Sequence, residues 1–300
     1  MSYNKRMRDK TKRIGFIGAG KVGWSLGRHI RERGGQGYAV CGYCSRDIGT
    51  ARAAAAFSGG QAFSSAGELA AGCDLLLLTV PDGQIAEAWH GLLPALAAGR
   101  EAPLCIGHCS GSLGAEAFEP RPATAPGLSF GSMHPLLAVH DRENSFENFK
   151  GAYFTIEGED GFAGFAKGLL AALGNPFCAL DASQKTLYHA ASVMVSNLVC
   201  ALACVGTDTY KACGFDSGFA ENAWRALFNG NAENIAAAGP VRALTGPVER
   251  GDTATVARHL EALSGDEREI YLLLSRKLIG AARQKNPGRD YSELARLLGA

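Results

Sequence analysis

The sequence predicts a doubly wound parallel α/β sheet followed by an all-α C-terminal domain. Two patterns carry that expectation. From residue 14 to residue 173, short apolar runs alternate with helical segments, the rhythm of parallel strands joined by crossover helices. After Asp181 the strand signals stop, and only helical segments punctuated by Gly, Pro or Asp continue. A chain of 300 residues, 47% apolar, is long enough for about two domains. We place a disordered basic tail over residues 1–12, the sheet domain over 13–181 and the helical domain over 182–300.

Residues 14–18 read as the first strand and 21–33 as the first helix, stopped by Gly34-Gly35. Residues 38–44 form the second strand. Residues 47–57 form an Ala-rich helix with Asp47 placed to cap it. A short strand at 61–64 precedes residues 74–80, whose four consecutive leucines, Leu75 to Leu78, suit a parallel strand covered on both faces. Pro81-Asp82-Gly83 turns the chain into a helix over 84–97. Strands follow at 104–107, 128–133 and 152–156, and a helix at 162–173. Residues 183 to about 213, Ala-rich and free of proline, read as one long helix. Helices at 219–228, 232–238, 253–263, 266–284 and 292–298 complete the chain.

The net charge of +1 gives no reason to expect nucleic acid or an acidic membrane as partner. Lys5, Arg6, Arg8, Lys10, Lys12 and Arg13 outweigh Asp9, but no aromatic platform accompanies them, so they read as a solvated tail. No apolar run approaches the roughly 20 residues that span a bilayer. The basic start leads into a strand, not a signal-peptide core, so the chain is expected to be cytoplasmic. Nine scattered cysteines read as reduced core thiols. Cys41 and Cys44 are three apart in a strand and so point to opposite faces. No metal is expected, because His108, Cys109, His134 and His140 lack ligand spacing.

Gly18-Ala19-Gly20-Lys21-Val22-Gly23 is G-x-G-x-x-G between a predicted strand and a predicted helix, the context that makes the motif a Rossmann dinucleotide fingerprint. The first glycine permits the turn, the second lets backbone approach a pyrophosphate, and the third lets helix pack on strand. The helix N-terminus then offers free N–H groups to the phosphates. About 20 residues on, a carboxylate would read a ribose 2′-hydroxyl. Ser45-Arg46 occurs there, which suits a 2′-phosphate and argues against S-adenosylmethionine; Asp47 beside them could still read a ribose. NADP(H) is therefore expected ahead of NAD(H).

Ligands of open α/β sheets lie beyond the carboxyl ends of the strands. Val80-Pro81-Asp82 falls there, as cofactor contact or as a turn with Asp82 capping the next helix. His108 is a candidate cofactor contact. Ser110 and His134 are candidate substrate contacts, each with a loop or core role as the alternative. On the long helix Lys185, His189, Ser192 and Ser196 share about 60° of arc. Burial would lower the pKa of both Lys185 and His189, as an acid/base pair requires; a solvated face is the alternative. Residues 245–252 carry Arg250, either on a plain loop or as a carboxylate clamp.

These stretches resemble a known family: Rossmann-like proteins with a helical C-terminal domain of unknown function. The matching residues are Ile14 through Gly23, His108-x-Ser110-Gly111, Met133-His134-Pro135-Leu136, Tyr188-His189-Ala190-Ala191 with Ser196-Asn197, and Thr245-Gly246-Pro247 with Arg250-Gly251-Asp252. Such proteins are similar to ketopantoate reductase, pyrroline-5-carboxylate reductase, prephenate dehydrogenase and the β-hydroxyacid dehydrogenases. The resemblance implies NADP(H), a site between domains and a homodimer built through the helical domain. The β-hydroxyacid dehydrogenases carry Lys-x-x-x-Asn on the corresponding helix, whereas His189 follows Lys185 here. The leading expectation is an NADP(H)-dependent oxidoreductase of a small keto, hydroxy or imino acid. His189 acts as general acid/base with Lys185 beside it, and Ser110, His134, Asn197 and Arg250 contact substrate. The alternatives are a dinucleotide-binding sensor without turnover and a flavin- or deazaflavin-linked reductase.

Overall fold

A computed structural model describes residues 11–97, 102–122 and 127–300. The basic tail through Lys10 lies outside the described residues. The chain divides into two compact units, Met1–Ser196 and Asn197–Ala300.

The first unit runs β1 (Lys12–Ile17), α1 (Lys21–Arg33), β2 (Tyr38–Cys44), α2 (Ile48–Ser58), β3 (Gln61–Phe63), α3 (Ala66–Ala71), β4 (Leu75–Leu78), α4 (Ile85–Ala97), β5 (Leu104–His108) and β6 (Leu128–Pro135). It continues with β7 (Phe154–Gly158), α5 (Asp160–Leu173), β8 (Phe177–Ala179) and α6 (Lys185–Met194). The sheet order is β3-β2-β1-β4-β5-β6-β7-β8. Lys12 and Arg13 belong to β1, not to a tail, because Lys12 N donates to Gly37 O and Arg13 N to the Asp74 carboxylate.

All neighbouring strands are parallel except β6 and β7, which run antiparallel. Parallel return needs a crossover, usually a helix. The connection from β6 to β7 holds a short 3-10 turn at Glu147–Phe149, and the chain comes back beside β6 reversed. Leucines 75 and 77 enter the core with Phe16, Leu26 and Phe162, while Leu76 and Leu78 enter a second core with Trp89, Ile106 and Phe118. Both faces of β4 are therefore covered, as its unbroken apolar run requires.

The expected long helix is broken at its middle. Val195 has φ −95° and ψ 2°, and α6 ends at Met194. Ser192 and Ser196 donate their hydroxyls back to the carbonyls of Tyr188 and Ser192, a bond that competes with the helix ladder and bends it. The first compact unit consequently runs past the boundary expected near Asp181 and takes in α6.

The second unit contains α7 (Asn197–Ala212), α8 (Ser217–Ala238), α9 (Pro240–Ala243), α10 (Pro247–Arg250), α11 (Thr253–Ala262), α12 (Gly265–Lys285) and α13 (Ser292–Leu298). Helix α8 is continuous where the sequence suggests two helices. Its core gathers Val248, Val256, Leu260, Ile279, Tyr291 and Leu294 from α10 to α13. Helix α7 buries no residue and α8 only Ala220, leaving Leu198, Leu202, Phe219 and Phe228 exposed. Contrary to the absence of apolar runs expected above, Ala182–Ala212 is long and apolar enough to cross a membrane by length and composition, with mean hydropathy 1.8 in its most apolar window. The thiols of Cys178, Cys200, Cys204 and Cys213 are exposed, so they are not core thiols.

Candidate functional site

The carboxyl edge of the sheet carries two adjoining features in the first unit. The first is a cleft of about 620 Å³ lined by Gly18, Ala19, Gly20, Ser45, Arg46, Asp47, Val80 and Pro81, among others. Gly18 has φ +96°, a left-handed conformation that disfavours side chains, and a Cβ there would lie 2.8 Å from Val80 Cγ1. The Thr79 hydroxyl donates to Gly18 O at 2.6 Å and holds the turn. Gly20 precedes α1 without a side-chain cap, so no side chain satisfies the first N–H groups of the helix that follows this cleft-lining loop. A dinucleotide pyrophosphate fits this cradle of bare backbone donors.

Lys21, Val22 and Gly23 form the first turn of α1 and do not line the cleft. Gly23 serves packing instead, since a Cβ there would meet Thr79 Oγ1 at 2.4 Å. Asp47 caps α2: its carboxylate accepts from Gly49 N, Thr50 N and the Thr50 hydroxyl, at 2.9, 3.0 and 2.6 Å. These bonds hold its carboxyl below the usual carboxylate range. Arg142, from the β6–β7 connection, also lines the cleft and escaped the sequence reading.

The second feature is a cluster over Gly111. A Cβ on Gly111 would lie 2.6 Å from His189 Nδ1 and 2.9 Å from His134 Nε2. The two imidazoles meet edge to face, 6.0 Å between centroids. His189 Nδ1 is buried without a hydrogen-bond partner. His134 Nδ1 pairs with the Tyr188 hydroxyl at 2.7 Å. Burial first, and then the Lys185 charge, lowers the His134 pKa to about 4.

Lys185 does not reach this surface. It is 2% exposed, and its Nζ donates to Ser132 Oγ at 2.6 Å and to Ser110 O at 3.4 Å. Ser132 Oγ in turn donates to Glu157 Oε2 at 3.1 Å, and Glu157 also accepts from Ala115 N. Burial lowers the Lys185 pKa, while Glu157, Glu116 and Asp82 raise it. The lysine is thus a positioning residue that fastens α6 to β6, rather than a group beside substrate.

Three further expectations change. His108 is fully buried with both nitrogens engaged: Nδ1 accepts from Ser110 N and Nε2 donates to Gly114 O. Burial lowers its pKa to about 4, so it is a neutral core residue and not a cofactor contact. The Ser110 hydroxyl is saturated, donating to Asp82 Oδ2 at 2.6 Å and accepting from Ser112 N and Leu113 N, so it organises its loop instead of meeting substrate. Asp82 is turned to those serines and does not line the cleft. Asn197 opens α7 and Arg250, exposed, ends α10; both belong to the second unit. Among the described residues, no group of three or more His, Cys, Asp or Glu side chains is placed to hold a metal ion.

Residues 2–135 match the family model of a Rossmann-like domain, and residues 152–278 match a domain of unknown function, DUF2520. The chain thus carries a match to a Rossmann-like domain followed by a match to DUF2520, the combination its sequence resembles. The DUF2520 match begins just before β7 and so includes β7, α5, β8 and α6 of the first unit. A Thermotoga maritima protein of solved structure is 25% identical, with a TM-score of 0.69 over 91% of this chain and 99% of that one. A candidate NADP oxidoreductase from Bacteroides fragilis is 22% identical, with a TM-score of 0.67 over 90% and 98%. Pyrroline carboxylate reductase from Plasmodium falciparum, solved with NADP bound, is 13% identical, with a TM-score of 0.56 over 97% and 100%. No functionally curated protein matches the sequence.

Proposed function

We propose that this chain is an NADP(H)-dependent oxidoreductase of a small keto, hydroxy or imino acid, with His189 as its general acid/base. The observation that carries this reading is His189 Nδ1, buried and unpaired where it faces His134 across Gly111. An unpaired buried nitrogen costs about 1–3 kcal/mol, a cost repaid when a ligand completes the bond. The Tyr188 phenol is a better donor than a neutral imidazole, so we assign its proton to the bond with His134 Nδ1. His134 then keeps a proton on Nε2 and, neutral at pH 7, donates a hydrogen bond toward substrate. His189 takes or gives the proton beside it.

The cofactor reading rests on the cradle at Gly18 and Gly20 and on Ser45 and Arg46 in the same cleft. Asp47, which could have read a ribose hydroxyl, is engaged three times as a helix cap, which favours a 2′-phosphate over a bare ribose. A bound nicotinamide would supply or accept the hydride.

Titration of the protein with NADPH and NADH, followed by nicotinamide fluorescence, tests this reading. NADPH should bind at least tenfold more tightly, and Arg46→Asp should abolish that preference. Absence of binding by either dinucleotide would remove the oxidoreductase reading.

A further inference from the structure

We infer that Arg142 is a second cation for the cofactor's phosphates, brought to the cleft by the β6–β7 connection and outside the glycine fingerprint. The inference rests on the dinucleotide reading above and deepens it. Arg142 lines the same cleft as Gly18, Gly20 and Arg46. Its backbone is fixed from beneath: the hydroxyl of Ser25, fully buried on α1, donates to Arg142 O at 3.1 Å. Ser25 lies one turn beyond Gly20, so the helix that opens at the glycine loop also holds Arg142 in place.

The flanking turn is built with equal care for geometry. Asp141 Oδ1 accepts from Glu143 N and Asn144 N, each at 2.7 Å, and Ser145 Oγ accepts from Asp141 N at 3.1 Å. Ser145 is itself buried. The guanidinium carbon lies 5.8 Å from the Trp24 ring centre, which steers the side chain along α1. Among the described residues, no carboxylate forms an ion pair with Arg142. Glu87 and Asp47 share the cleft, but Asp47 is engaged as a cap.

A preplaced guanidinium beside a helix N-terminus and a second arginine is suited to an oxyanion with several acceptors. A dinucleotide offers two such groups, the 2′-phosphate and the pyrophosphate. The shared chemistry is a phosphate oxygen accepting from the planar guanidinium.

Arg142→Met tests this, because it keeps an unbranched apolar stem and removes the guanidinium. Dissociation constants for NADPH and NADH are read by nicotinamide fluorescence, and those for 2′,5′-ADP and ADP-ribose by competition. Arg142 is exposed, so the melting temperature of the variant should match the wild type. A tenfold or greater loss confined to NADPH and 2′,5′-ADP supports the inference and assigns Arg142 to the 2′-phosphate. Equal losses for NADPH, NADH and ADP-ribose support it and assign the pyrophosphate. Changes below twofold for all four ligands, with wild-type binding intact, overturn the role of Arg142 alone. Wild-type protein that binds none of the four overturns the dinucleotide reading and this inference with it.

Discussion

Gly18 and Gly111 each follow a strand at the same sheet edge, yet they support opposite kinds of site. Gly18 bends the chain at positive φ so that bare backbone lines an open cleft. Gly111 has an ordinary backbone conformation and is small so that two imidazoles can close over it. The first site needs little beyond main-chain geometry. The second depends on side chains fastened from behind by Lys185, Ser132, Glu157 and Tyr188. A binding site of backbone tolerates changes around it, whereas a cluster of side chains inherits every displacement of its supports.

The largest expected separation of the two sites comes from Gly111→Ala. Its methyl group would intrude on His189 and His134, so turnover of a substrate found by screening should fall at least 100-fold. His189→Gln should match that fall. NADPH affinity should stay within twofold for both variants. Weakened NADPH binding in Gly111→Ala would show that cleft and cluster are one site.

A smaller effect is expected at the support. Lys185→Met leaves Glu157 buried beside a serine without its cation, at a cost of about 3 kcal/mol. For a unit of this size that lowers Tm by roughly 6–12 °C. A melting curve within 2 °C of wild type would mean the lysine does not fasten α6. The smallest effect belongs to the cleft: Asp47→Ala removes the helix cap of α2 and should lower Tm by less than Lys185→Met does. The ratio of NADPH to NADH affinity should not change. A selective loss of NADH binding would return Asp47 to the ribose.

The cleft was legible in the sequence because backbone chemistry demands glycines at fixed spacing between a strand and a helix. Most of the fold was legible for the same local reasons, as the four leucines of β4 illustrate. The cluster was legible only in outline. His108 and Ser110 follow a strand, as ligand-binding residues do, but their bonds to Gly114 O and Asp82 turn them inward. Periodicity put Lys185 and His189 on one stripe without saying that the first is buried in a hydrogen-bond network with Ser132 and the second packs over Gly111 with Nδ1 unpaired. Tyr188 was named only within a family-like stretch, with no sign that its hydroxyl would meet His134. Ser132 and Glu157 meet only because β7 returns antiparallel to β6, a pairing written in no local pattern. The break at Val195 has neither proline nor glycine to announce it.

The match to DUF2520 begins at residue 152, inside the first compact unit, so the seam between the two sequence families runs through one sheet. Ser132 comes from one side of that seam, while Glu157 and Lys185 come from the other. Joining the front half of one relative to the back half of another at this seam would pair a foreign β6 with β7 and leave a buried lysine and glutamate to find a stranger's serine. Heredity can trade these two segments as text, but the molecule can accept the trade only when both sides of the network change together.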